Sequence, residues 1–276
     1  MVRATTEPEL HDTPRPRVER GGAGAGVGRC VAAVGLAAWI AVGALGGCGR
    51  SGAPAPTGDR GPQVGSSAAA ATARPGDAGY QGRPIAQTCS YLGADWLERA
   101  DRAEREQPDR VLDALKLDPH STAADVGAGT GYFTRRLARR VARVLATDVQ
   151  PEMLELLTAA AAREHLTNIE AIHAGEHDAA LPPGCCDLVL LVDVYHELSD
   201  PPGVMAGIRR ALTERGRLVL IEYRGEDPRV AIKPEHKMTL AQIQRELTGL
   251  GFAFVESLEF LPDQRVVIFT RAAAPP

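Results

Sequence analysis

Three glycines at alternate positions follow an acidic residue in Asp125-Val126-Gly127-Ala128-Gly129-Thr130-Gly131-Tyr132. Backbone bare of side chains allows a ligand to approach closely. A dinucleotide fingerprint opening at Gly127 requires its third glycine at 132, where Tyr132 stands, and no Gly-Lys-Ser/Thr ending follows, so neither that motif nor a P-loop is present. A second carboxylate, Asp148, lies just ahead of Pro151 and is placed either to accept from a ligand or to cap a helix. A second reactive set is Asp193, Tyr195, His196 and Glu197. An imidazole with an ordinary pKa of about 6.5 suits proton transfer at neutral pH, so His196, polarised by a carboxylate, is the candidate base. The plainer alternatives are a histidine capping backbone groups and a tyrosine that packs. His236 and Lys237, with Glu222-Tyr223-Arg224, could orient a polar acceptor. Of five cysteines, the adjacent Cys185 and Cys186 read as small buried residues, although with Cys89 they leave a thiophilic site open. No zinc-ligand spacing is found, and no metal ion is expected.

Apolar periodicity supplies the elements that must position these groups. Helical spacing predicts helices over 95–106, 109–115, 133–141, 151–165, 202–212 and 239–250, the last stopping at Gly251. Short apolar runs predict strands at 122–126, 144–147, 169–173, 187–192, 217–222, 253–260 and 265–270. The last two are joined through Pro262-Asp263, which makes them antiparallel. Alternating strands and helices with near-continuous apolar strands give an α/β fold, a mostly parallel sheet covered on both faces. The glycine turn and the 193–197 loop then leave carboxyl ends of strands, where open α/β sheets hold ligands.

Asp125-Val-Gly-Ala-Gly-Thr-Gly131, with Asp148 after the second strand, resembles motif I and the ribose acid of the class I S-adenosylmethionine-dependent methyltransferases over residues 108–272. The resemblance implies a Rossmann-like sheet of seven strands, the last antiparallel, with S-adenosylmethionine as cofactor. It implies that Gly127, Gly129 and Gly131 line the methionine and ribose portion, that Asp125 lies near the cofactor's amino group, and that Asp148 accepts from the ribose diol. Asp193 is carried over to the cofactor set, and Glu176 and Asp178 are both candidates for the adenine side. Catalysis falls to His196, Tyr195 and Glu197. The segments Val194-Tyr-His-Glu-Leu198 and Pro234-Glu-His-Lys-Met238 are similar to a group of predicted small-molecule methyltransferases. The Asn/Asp-Pro-Pro-aromatic motif of the amino-group and adenine methyltransferases is absent, which weakens those substrates and leaves a small-molecule acceptor.

The chain before Ile85 differs in character. Of 29 glycines, 17 precede Ile85, among many Ala, Pro and Ser, and such a stretch builds no core. Residues 31–47 form an apolar run behind several arginines and end in Leu45-Gly46-Gly47-Cys48, which resembles a bacterial lipobox. The expectation is a signal over 1–48, a disordered linker over 49–84 and a catalytic domain over 85–276, held at the cell envelope by a lipid on Cys48. An uncleaved apolar anchor and a misassigned start are the alternatives. The cofactor is supplied in the cytoplasm, so export would favour a different reading, a non-catalytic envelope binding module that keeps the fold. Residues 85–276 carry 22 basic against 29 acidic side chains and few aromatics, so nucleic acid is not an expected partner.

Overall fold

The short apolar runs become the strands β1 (Thr122–Val126), β2 (Arg143–Asp148), β3 (Ile169–His173), β4 (Cys186–Val192), β5 (Leu212–Arg224), β6 (Lys237–Met238), β7 (Phe252–Leu258) and β8 (Gln264–Arg271) of a computed structural model that describes residues 79–273. Between them lie helices α1 (Ala94–Leu97), α2 (Arg102–Glu106), α3 (Pro108–Ala114), α4 (Thr134–Ala138), α5 (Pro151–Arg163), α6 (Pro201–Ala211) and α7 (Leu240–Gly249). The sheet order is β3-β2-β1-β4-β5-β8-β7, with β6 paired to the end of β5. Strands β1 to β6 pair in parallel, whereas β8 runs antiparallel to both β5 and β7. The expected α/β architecture is therefore the observed one, with the two-residue β6 as an eighth strand.

Alternation along each strand splits the core into two layers. Leu188 and Leu190 of β4 join Val111, Leu112 and Leu137 from α3 and α4 on one face. Val189 and Leu191 join Met205, Ile208 and Leu247 from α6 and α7 on the other. Burying each such leucine contributes roughly 1.5–3 kcal/mol, so the central strands form a stiff platform for the loops at their carboxyl ends. Local chemistry sets the helix starts. Asp200 accepts from Gly203 N–H ahead of Pro201 in α6, and the Thr239 hydroxyl accepts from Gln242 N–H in α7.

The expected single helix over 95–106 is two short helices, because Arg99 and Arg102 both turn inward onto Glu106 and Arg102 also donates to the Leu97 carbonyl. Gln107 is left-handed at φ 43°, consistent with the exclusion of right-handed helix ahead of Pro108. Strand β5 starts at Leu212, five residues earlier than its apolar run suggests. The linker expected to reach residue 84 is also too long. Arg83 is buried and paired with Glu246 of α7 at 3.2 Å. The expected signal and Cys48 lie outside the described residues, and among those described no helix is long and apolar enough to cross a membrane.

Candidate active site

A cavity of about 800 Å³ opens at the carboxyl edge of the sheet, within the range typical of small-molecule sites. Its floor is the turn after β1. Gly127 and Gly129 have φ of 70° and 54°, a conformation that side chains disfavour. A Cβ on Gly127 would lie 2.6 Å from Val194, and one on Gly129 would lie 2.9 Å from Leu97. The turn and the acid after β2 converge: Gly129 N–H donates to Asp148 Oδ2 at 2.8 Å, and Gln150 N–H donates to Oδ1 at 2.9 Å. Asp148 thus closes a tight turn ahead of α5 and walls the cavity, with lone pairs left over. Burial raises its pKa against three backbone donors. Beside it the Thr147 hydroxyl, buried at the wall, has no partner among the described residues.

The opposite wall is made from side chains. His196 is 1 % exposed. Its Nδ1 is 2.6 Å from Glu222 Oε2, and an ionised carboxylate can only accept, so Nδ1 carries the proton. The other Glu222 oxygen accepts from Tyr195 N–H at 3.0 Å, which locks the carboxylate in place. Burial opposes charge on His196, but Glu222, with Asp193 and Glu197, outweighs it and lifts the pKa to about 9. His196 Nε2 faces His236 Nδ1 at 3.1 Å, and Glu197 Oε1 lies 4.0 Å from Nε2. Burial and the neighbouring His196 charge lower the His236 pKa. Burial pushes Glu197 up to about 7. The pairing of β6 with Tyr223 and Arg224 brings the Pro234–His236 turn beside the end of β5, next to Glu222. Arg83 fastens the same loop, donating to the carbonyls of His196 and Tyr195.

Seven of the eleven expected site residues lie on these walls, and an eighth, Asp178, on the rim: Gly127, Gly129, Asp148, Glu176, Asp193, His196 and Glu197 line the cavity, while Asp178, half of it in solvent, is drawn towards Arg210 at 3.6 Å. Asp193 has φ 54° and holds Gln264 Nε2 at 2.7 Å. Burial, then Glu106 and Glu222, drive its pKa well upward. Three expectations are corrected. Tyr195 is fully buried, and its hydroxyl donates to Glu246 at 3.0 Å on the α7 side, so it packs and does not reach the cavity. Gly131 meets α5, where a Cβ would come within 2.7 Å of Leu157, so it serves helix packing. Asp125 lies beneath the turn and accepts from Thr134 Oγ1 at 2.6 Å, its pKa raised by burial to about 6.

Sequence reasoning did not anticipate the roof, where Trp96, Leu97, Arg99 and Arg102 overhang the cavity, nor Arg83 and Thr147. For Glu222 a signal existed. Pairing β4 with β5 in parallel sets Val192 opposite Ile221, which places Glu222 beside the loop carrying His196.

Residues 124–220 match the family model described as a methyltransferase domain. The chain is 30% identical over 141 residues to a demethylmenaquinone methyltransferase of Tropheryma whipplei, covering 50% of this chain and 56% of that protein. It is 32% identical over 121 residues to an uncharacterized methyltransferase of Mycobacterium bovis, covering 44% and 47%. The chain therefore spans about half the length of the curated relatives it matches. Among solved structures, a SAM-dependent methyltransferase from Aquifex aeolicus superposes with a TM-score of 0.63 at 24% identity, over 66% of this chain and 98% of that one, which is a likeness of fold. The segment matched to the methyltransferase domain is the one that carries the glycine turn, Asp148 and His196.

Proposed function

We propose that the chain is an S-adenosylmethionine-dependent methyltransferase that acts on a small-molecule acceptor. The observation that carries this reading is the convergence, in one cavity, of the Gly127–Gly129 turn tied to Asp148 with the Glu222-backed His196 opposite. The match of residues 124–220 to a methyltransferase domain supports it. The residues present fit the cofactor: bare backbone at Gly127 and Gly129, spare lone pairs on Asp148, and the unpartnered Thr147 hydroxyl. Asp148 would accept from the ribose diol, Glu176 and Asp178 would meet the adenine side, and Asp193 would border the methionine end. Gly127, Gly129 and Asp148 border one cavity, and the match to a methyltransferase domain supports an enzyme over a binding module.

The cofactor supplies a methyl carbon that is already electrophilic and needs no covalent help from the protein. The chain's tasks are then alignment, exclusion of water and removal of a proton. Trp96 and Leu97 overhang the turn and shield it. Glu222 orients His196 through Nδ1–H and favours its charged form, so Nε2 is a strong base whose proton-accepting form fills as pH rises toward about 9. His236, the more exposed of the two rings, stands next to Nε2 and passes the proton inward from the acceptor. Apolar side chains at Val194 and Ile232, on the side of His196 and His236, suit an acceptor with a hydrocarbon body, which agrees with the name of the Tropheryma relative.

Calorimetry of the chain with S-adenosylmethionine is expected to show saturable binding, weakened about 10–100-fold by D148A, since a hydrogen bond to a charged group contributes roughly 1.5–3 kcal/mol. No binding would overturn the reading. Labelled methyl transfer into separated small-molecule and protein pools tests the acceptor class, and label confined to protein would remove the small-molecule assignment. The envelope location is proposed on the apolar run ending at Cys48. C48A is expected to move the chain from the membrane fraction to the soluble one, and an unchanged distribution would reject the lipid.

A further inference from the structure

The geometry points to a divalent transition-metal site formed by His196 Nε2, His236 Nδ1 and the Glu197 carboxylate, facing the cavity opposite the glycine turn. The two ring nitrogens are 3.1 Å apart, Glu197 Oε1 is 3.8 Å from His236 Nδ1 and 4.0 Å from His196 Nε2. Ligands about 2.0–2.1 Å from a tetrahedral zinc ion are roughly 3.3 Å from one another. The ring pair already meets that spacing, and a small rotation of the carboxylate brings in the third donor. The rings stand at 82° to each other, so they are not stacked, and one nitrogen of each lies within 4.8 Å of the other and of the Glu197 carboxylate.

What surrounds the three donors is the stronger argument. A metal-binding histidine commonly donates its other ring N–H to a carboxylate, which fixes its tautomer and makes it a better donor. His196 does this through Nδ1 to Glu222, and Glu222 is itself held by Tyr195 N–H. Arg83 then pins the carbonyls of the same loop. A lone proton-transfer histidine does not require a second imidazole and a second carboxylate on its reactive nitrogen; a metal ion does. Two imidazoles and one carboxylate select zinc or a similar first-row ion over magnesium or calcium, which take oxygen ligands.

Three protein donors leave a fourth position open to the cavity. An acceptor oxygen binding there would form a bond from its lone pair to the metal and release its O–H proton to water, because coordination lowers the pKa of a bound hydroxyl. The inference rests on the methyltransferase reading only in taking this wall as the acceptor's side. It names the acceptor as a molecule with a metal-coordinating oxygen, and it would set metal binding where proton relay between the two rings otherwise occurs.

The test uses the full chain, purified without a histidine tag and stripped of metal, titrated with zinc chloride and separately with cobalt chloride and magnesium chloride. Expected are one zinc per chain retained through dialysis, visible absorption of tetrahedral cobalt, and no saturable magnesium binding. H236A and E197Q, both at partly exposed positions, should each weaken zinc at least tenfold with unaltered circular dichroism. E222Q, which touches no metal, should weaken it about 10–100-fold. Failure of the native chain to bind zinc, or retention of full affinity by both H236A and E197Q, would overturn the site. Parallel titration with S-adenosylmethionine separates the two ideas: cofactor binding without zinc rejects only the metal site, and zinc binding without cofactor rejects only the methyltransferase reading.

Discussion

The two walls of the cavity are built on different principles. The wall proposed for the cofactor is held mainly by backbone, Gly127 N–H reaching the Thr147 carbonyl 20 residues away and Gly129 N–H reaching Asp148 across 19. The acceptor wall is assembled from afar by side chains: His196 meets Glu222 across 26 residues, His236 across 40, and Arg83 across 113. A wall of backbone demands glycines and tolerates little else, whereas a wall of ion pairs depends on every member being present. The first should be sensitive to bulk and the second to charge.

The largest expected effect is at the acceptor wall. E222A would leave His196 Nδ1–H and Tyr195 N–H without their acceptor inside the protein, and breaking such a buried pair costs about 3–5 kcal/mol. Urea unfolding should show this as a lower midpoint, with E222Q retaining most of it. A loss within 1 kcal/mol for E222A would break the distinction between the walls.

The layer beneath the glycine turn should answer oppositely to removal of its buried charge. The pKa of Asp125, about 6 in the fold against an ordinary 3.8, means that the native state holds the proton more tightly than the unfolded chain. This contribution is whole below about pH 4 and is lost as pH rises through about 6. At pH 7.5 the wild type therefore carries a buried carboxylate at a cost of up to about 3 kcal/mol. D125N keeps an acceptor for Thr134 and should unfold at higher urea than wild type at pH 7.5, with the gap closing toward pH 4. A gap that widens on acidification would reverse the assignment.

The smallest effect sharpens the boundary of the acceptor wall. Y195F removes one hydrogen bond to Glu246, worth about 1 kcal/mol, and since Arg83 still pairs with that carboxylate, methyl transfer should stay within about twofold. A large drop in turnover with intact stability would restore Tyr195 to the chemistry.

The same contrast decides what could be read from sequence. The glycine turn and Asp148 are compact signals with a fixed physical purpose, and the near-continuous apolar run of β4 announces a strand buried on both faces. The roles of neighbours inside one motif are less legible. Gly131 looks like its two companions, yet its φ of 82° serves the approach of Leu157. Tyr195 sits beside His196 in sequence and faces the opposite way, because adjacent residues in a tight turn diverge. The break within 95–106 was hidden because its cause is the burial of Glu106 between two arginines, and charged residues ordinarily read as solvated surface.

Arg83 has a practical consequence for anyone trimming this protein. A shortened chain that begins at Ile85, where the glycine-rich composition ends, would discard the cation that Glu246 faces and the donor for two loop carbonyls. The fragment would be weakened at the very bend that presents His196, and its poor behaviour would be blamed on the fold when the fault lay in the scissors.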